Sequence, residues 1–101
     1  MTNKQRAYLR KLAATLEPIY QIGKSGITPE LTEGVSEALE AREMVKINIL
    51  KNCMDAPRDL AETLAGRTRS QVVQVIGRKI VLYKESKDHK KIVLPTRGGK
   101  E

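Results

Sequence analysis

Helix-period and strand-period segments alternate three times along this chain, and a fourth strand-like run closes the series. Thr2 and Gln5 have the spacing of a capping box, and Leu9, Leu12, Ala13 and Leu16 then fall on one face of a helix that Pro18 should end. The run Ile19–Ile22 reads as a strand. Thr28 and Pro29 suit the N-cap and first position of a second helix, whose Leu31, Val35, Ala38, Leu39 and Arg42 share one face. Its acids, residues 30–43, are expected on the solvent side. Val45, Ile47 and Ile49 alternate with Lys46 and Asn48, as in a strand with one buried face. Asp55 and Pro57 should open a third helix carrying Leu60, Ala61 and Leu64, with Gly66 as its C-terminal cap and a basic link, Arg67 to Ser70, after it. Residues 72–76 and 80–83 form a hairpin around Gly77-Arg78, and Ile92–Leu94 is expected to add a short edge strand.

The order α-β-α-β-α-β-β predicts an α/β fold, a two-layer sandwich on a mixed sheet of four strands. A helix between two strands makes a crossover, which joins parallel neighbours, whereas the hairpin is antiparallel. One sheet face is expected to stay open to solvent or a partner. At 101 residues there is room for one core, placed in residues 1–95, with 96–101 a frayed tail. Phe and Trp are absent, so Leu, Ile, Val and Ala must fill that core.

The net charge of +7 is unevenly distributed. Residues 1–26 and 67–101 are basic, whereas residues 27–66 carry twice as many acids as bases. Basic ends around an acidic middle predict a polarised surface, and such a surface attracts polyanions through phosphate contacts. A solvated face kept for solubility is the plainer alternative.

Little else suggests chemistry. The lone Cys53 excludes an internal disulfide and a cysteine-rich zinc site, and it reads as a structural thiol. His89, the single histidine, lies in a charged stretch and reads as a solvated bystander. No metal, cofactor, small-molecule substrate or catalytic set is expected. The charged first dozen residues lack the apolar centre of a signal peptide, and no run approaches the roughly 18 apolar residues of a membrane span, so a cytoplasmic protein is expected.

Two features point to a ligand. Gly23-Lys24-Ser25-Gly26 lies between a strand and a helix N-terminus, where glycines permit close backbone approach and unpaired N–H groups favour an anion. With Lys24 at its tip it would make a phosphate clamp, although many GxxG sequences are only tight turns. It lacks the spacing of a Walker A loop. The second feature is the set Arg67, Arg69, Arg78, Lys79 and Lys84 around the final hairpin. Tyr83 or Tyr20 could stack a base, but with so few aromatics recognition should rest on the nucleic-acid backbone or shape.

The segments TNKQRAYLRKLA, QIGKSGIT, EALEAREMVKINIL, QVVQVIGRKIVLYK and KIVLP resemble the YhbY family of stand-alone CRM domains (chloroplast RNA splicing and ribosome maturation), over about residues 2–95. The resemblance implies a fold similar to the C-terminal domain of translation initiation factor three. It further implies an RNA-binding protein that associates with ribosomal RNA in precursors of the large subunit; a monomer without enzymatic activity is expected. The family's GxxG motif matches Gly23 and Gly26, with Lys24 and Ser25 between them. Its basic surface corresponds to Lys4, Arg6, Arg10 and Lys11 together with Arg67, Arg69, Arg78, Lys79 and Lys84. Two other classes remain open: an adaptor that docks a basic partner on the acidic helix 30–43, and a nonspecific duplex nucleic-acid binder.

Overall fold

The computed structural model describes residues 1–88 and 90–94. His89 and the expected tail, 96–101, lie outside them. The elements are α1 (Asn3–Ala13), β1 (Tyr20–Ile22), α2 (Pro29–Arg42), β2 (Met44–Ile49), α3 (Pro57–Thr68), β3 (Gln71–Ile76) and β4 (Lys79–Tyr83). The sheet order is β1-β2-β4-β3, with β1 parallel to β2 and the other neighbours antiparallel. The expected α/β class and mixed four-stranded sheet are both present.

Alternation divides the strands between two cores. Ile22, Val45, Ile47, Ile49, Ile80 and Leu82 are buried under Val35 and Leu39 of α2 and Leu60 and Leu64 of α3. Met44, Val73, Val81 and Tyr83 point the other way, against Leu9 and Ala13 of α1, with Ile92 and Leu94 packed alongside. The face expected to be open is therefore half covered. At a bulge in β3, Val72 pairs with Leu82 and Gln74 with Val81, so Val73 has no partner of its own.

Local chemistry explains the starts of the first two helices. Thr2 and Gln5 exchange the two hydrogen bonds of a capping box, and Thr28 Oγ1 accepts from Leu31 N at 3.1 Å. The ends differ from expectation. The first helix stops at Ala13, five residues before Pro18, because the chain tightens into i→i+3 turns at Thr15 and Leu16. Gly66 lies inside α3, which runs on to Thr68. The buried Thr68 hydroxyl bonds Leu64 O, and Arg69 takes the left-handed cap at φ 58°. Residues 92–94 form no strand.

A larger correction concerns Glu43. Expected on the solvent side, it is fully buried. It caps α2 at φ 69°, and its carboxylate accepts the backbone N–H groups of Ser86, Lys91 and Ile92 at 2.6–2.7 Å. These bonds take the Lys91 and Ile92 amides that a strand ladder would have used. Glu40 also turns inward, accepting from Ser86 Oγ at 2.8 Å.

Gly34 brings α2 close against Tyr20 of β1. A Cβ there would lie 2.6 Å from the Tyr20 hydroxyl and 2.9 Å from Cζ. Gly34→Ala would gain up to about 1 kcal/mol of helix propensity. It must also displace a rigid, half-buried ring on a three-residue edge strand. Overpacking should win, for a net loss of about 1–2 kcal/mol in urea denaturation. Adding Tyr20→Ala should remove the extra penalty.

Candidate nucleic-acid interface

Gly23 N-terminal to α2 opens a four-residue turn closed by Gly26 N–H donating to Gly23 O at 2.9 Å. Gly26 has φ +70°, where a side chain is strained, whereas Gly23 has ordinary space around it. Lys24 and Ser25 occupy the exposed tip.

Strand order brings two more turns to the same end of the sheet. β1 and β2 run parallel, so the turn Leu50–Cys53 lies beside the glycine turn; β4 runs opposite to β2, so the hairpin turn Gly77-Arg78 lies beside that. Leu50 N donates to Ile22 O at 2.9 Å. Leu50 Cδ1 and Asn52 Oδ1 lie 3.5 and 3.7 Å from where a Gly23 Cβ would sit. Lys24, Lys51 and Lys79 are all exposed at this end, and none has a hydrogen-bonding or ionic partner among the described residues. One carboxylate is close: Asp55 Oδ2 lies 3.7 Å from where a Gly26 Cβ would sit.

Arg78 occupies the same end but faces inward. Its Nε donates to Ile49 O at 3.1 Å, and its Nη2 donates to Leu50 O and Cys53 O at 2.7 and 2.8 Å. The guanidinium thus ties the hairpin turn to the turn after β2. Cys53 is buried, as expected of a structural thiol.

The other basic residues are spread more widely. Lys4 and Lys11 lie on the exposed surface of α1. Arg6 donates through Nη1 to Val72 O, and with Arg10 and Arg58 it lines a groove over the β3 edge. Arg67 lines a groove between the helices opposite Glu33 and Glu37. Arg69 and Lys84 lie at the opposite end of the sheet from the glycine turn, where Gln71 pairs with Tyr83. Lys84 lies five residues beyond Lys79, about 16 Å along a strand, so it cannot share a phosphate with the glycine turn.

Neither tyrosine considered for stacking is free for it. Tyr83 is 4% exposed in the core under α1, and Tyr20 packs against Gly34. Burial, with Glu43 and Glu85 nearby, also pushes the Tyr83 phenol above its ordinary range. Lys51 and Arg58 were not singled out from the sequence, because only strand pairing and helix packing bring them beside the expected residues.

A mixed sheet between one helix and two, with a GxxG turn at its end, defines a class, and a family comparison identifies it. Residues 1–84 match the family model of the CRS1/YhbY (CRM) domain, and the chain belongs to that family. It is 50% identical over 95 residues to YqeI of Bacillus subtilis (strain 168), which is named a probable RNA-binding protein; the match covers 94% of this chain and 99% of YqeI. It is 31% identical over 93 residues to MJ0652 of Methanocaldococcus jannaschii, which carries the same description, covering 90% of this chain and 69% of that protein. The solution structure of the hypothetical protein SAV1595 from Staphylococcus aureus superposes with a TM-score of 0.80 at 49% identity, covering 94% of this chain and 99% of SAV1595. No helix among the described residues is long and apolar enough to cross a membrane.

Proposed function

We propose that this protein is a non-catalytic, monomeric RNA-binding factor of the cytoplasm that associates with precursors of the large ribosomal subunit and assists their assembly. One observation carries the reading. The Gly23–Gly26 turn presents Lys24 at the end of the sheet where Lys51 and Lys79 are also exposed and unpaired. A glycine turn and three exposed lysines at one end of the sheet suit phosphates. Lys4 and Lys11 extend the positive surface over α1. Arg78 serves by holding the neighbouring turn. The descriptions of the relatives support RNA as the polyanion, and the family resemblance alone suggests ribosomal precursors as its source. The adaptor alternative is weakened because Glu40 and Glu43 bond internally.

Lys24→Glu tests the clamp. The residue is exposed at a turn tip, so the thermal midpoint should stay close to wild type. Affinity for ribosomal RNA should fall about tenfold at low salt, and the dependence on salt should weaken by about one phosphate contact. Gradient sedimentation of cell extracts should show less of the variant with large-subunit precursors. If it sediments with them as wild type does, the turn is not the contact.

A further inference from the structure

The half of the sheet that α1 leaves uncovered is a row of side chains crossing all four strands. In register, Gln21 of β1 lies beside Asn48 of β2, Asn48 beside Lys79 of β4, and Lys79 beside Ile76 of β3. Val45, Ile47 and Ile49 point into the core under α2 and α3, so Asn48 points to the opposite face, with its neighbours in the row. Gln21 and Lys79 are exposed, Asn48 is half-buried, and Ile76 is 63% exposed. The carboxamides of Gln21 and Asn48 have no hydrogen-bond partner among the described residues. The row contains no carboxylate. It begins two residues before Gly23, and therefore continues directly from the glycine turn.

We propose that this row contacts unpaired nucleotides of the bound RNA, the Gln21 and Asn48 carboxamides hydrogen-bonding base edges or ribose hydroxyls while Lys24 and Lys79 hold the adjoining phosphates. The inference rests on the RNA-binding reading above and specifies which part of an RNA it would engage. A carboxamide offers a donor and an acceptor side by side, the pattern that base edges present. Such edges are within reach of a flat sheet only where the strand is unpaired, because the major groove of an RNA duplex is too deep and narrow to read. Four strands span about 14 Å, the scale on which other four-stranded sheets hold about two or three bases. Without an aromatic ring in the row, contact here relies on hydrogen bonding and on the apolar surface of Ile76. Free cations at both the row and the turn favour a nucleic-acid strand over a protein segment as occupant.

Fluorescence anisotropy with labelled single-stranded RNA of about 12 nucleotides, over a range of salt concentrations, separates the possibilities. Gln21→Ala and Asn48→Ala should each weaken binding about three- to tenfold without changing its salt dependence, because no charge is removed. Lys24→Glu should change the salt dependence as well. An RNA duplex of the same length should compete less well than the single strand. Should Asn48→Ala lower the thermal midpoint, Gln21→Ala on the exposed edge strand carries the same test. Variants of both carboxamides that bind like wild type, while Lys24→Glu still weakens binding, would overturn this inference and leave the clamp intact. That result would leave the face to a protein partner. A wild-type protein with no salt-sensitive affinity for RNA would overturn the underlying reading, and this one with it.

Discussion

Glu43→Ala is expected to cost about 3–5 kcal/mol, a large share of the roughly 5–15 kcal/mol that holds a domain together. Three buried or half-buried backbone N–H groups, from Ser86, Lys91 and Ile92, lose a charged acceptor together. No other acceptor among the described residues is bonded to them. The left-handed backbone at Glu43 remains strained in the variant, so the loss is not offset there. Glu43→Gln keeps one acceptor oxygen and should cost less. In hydrogen exchange, the amides of Ser86, Lys91 and Ile92 should lose protection before the strands do. A Glu43→Ala midpoint within about 2 °C of wild type would refute the assignment.

The same carboxylate gives stability an acid-sensitive component. Burial pushes its pKa up, but the three backbone donors, helped by the Lys90 charge, outweigh burial and hold the carboxyl below its ordinary value near 4.5. A folded-state pKa below the unfolded one means that the contribution is complete above about pH 4.5 and fades as pH falls through the folded value. Urea denaturation should therefore show stability falling below that pH, with a shallower fall for Glu43→Gln.

Glu43 also shows where sequence reasoning reached its limit. Locally it is one more acid near the end of an acidic helix, indistinguishable by spacing from Glu37 or Glu40. Its burial depends on Ser86, Lys91 and Ile92 meeting it across more than forty positions, which no window of the chain encodes. Val45, Ile47 and Ile49 are the opposite case. Their alternation directly reflects one buried sheet face, so the strand and its core side were legible. The three helices were legible for the same reason, but not all of their ends. Gly66 looked like a cap, yet the buried Thr68 hydroxyl carries α3 two residues further, and Arg69 bears the strain. Of the candidate interface, the glycine turn could be read from residue types alone, because Gly26 needs its positive φ. What could not be read was its company. Lys51 and Asn48 join it only through the strand order β1-β2-β4-β3, and the same order sends Lys84 and Arg69 to the far end. The face beyond α1 was expected open without knowledge of which half would remain so.

Arg78→Lys should be nearly as damaging as Arg78→Ala, at about 2–4 kcal/mol, although it preserves the charge. The guanidinium donates to three carbonyls, at Ile49, Leu50 and Cys53, and closes the turn after β2 against the hairpin. An ammonium group is a compact point donor and cannot reproduce that planar fork. For a domain of this size, each kcal/mol lowers the thermal midpoint by about 4–8 °C, so a fall on the order of 10–20 °C is expected. RNA affinity should fall too, at temperatures where the variant is still folded. The reason is geometric: Leu50 bonds the end of β1 through Ile22 O, and Leu50 and Asn52 flank Gly23, so a loosened turn no longer supports the clamp. This separates a buttress from a phosphate ligand. A direct electrostatic contact would be retained in large part by lysine, and alanine would lower the salt dependence by about one phosphate. A buttress predicts that lysine and alanine weaken binding alike, with the salt dependence unchanged. Retention of both thermal midpoint and affinity in Arg78→Lys would return Arg78 to the set of residues that touch RNA directly.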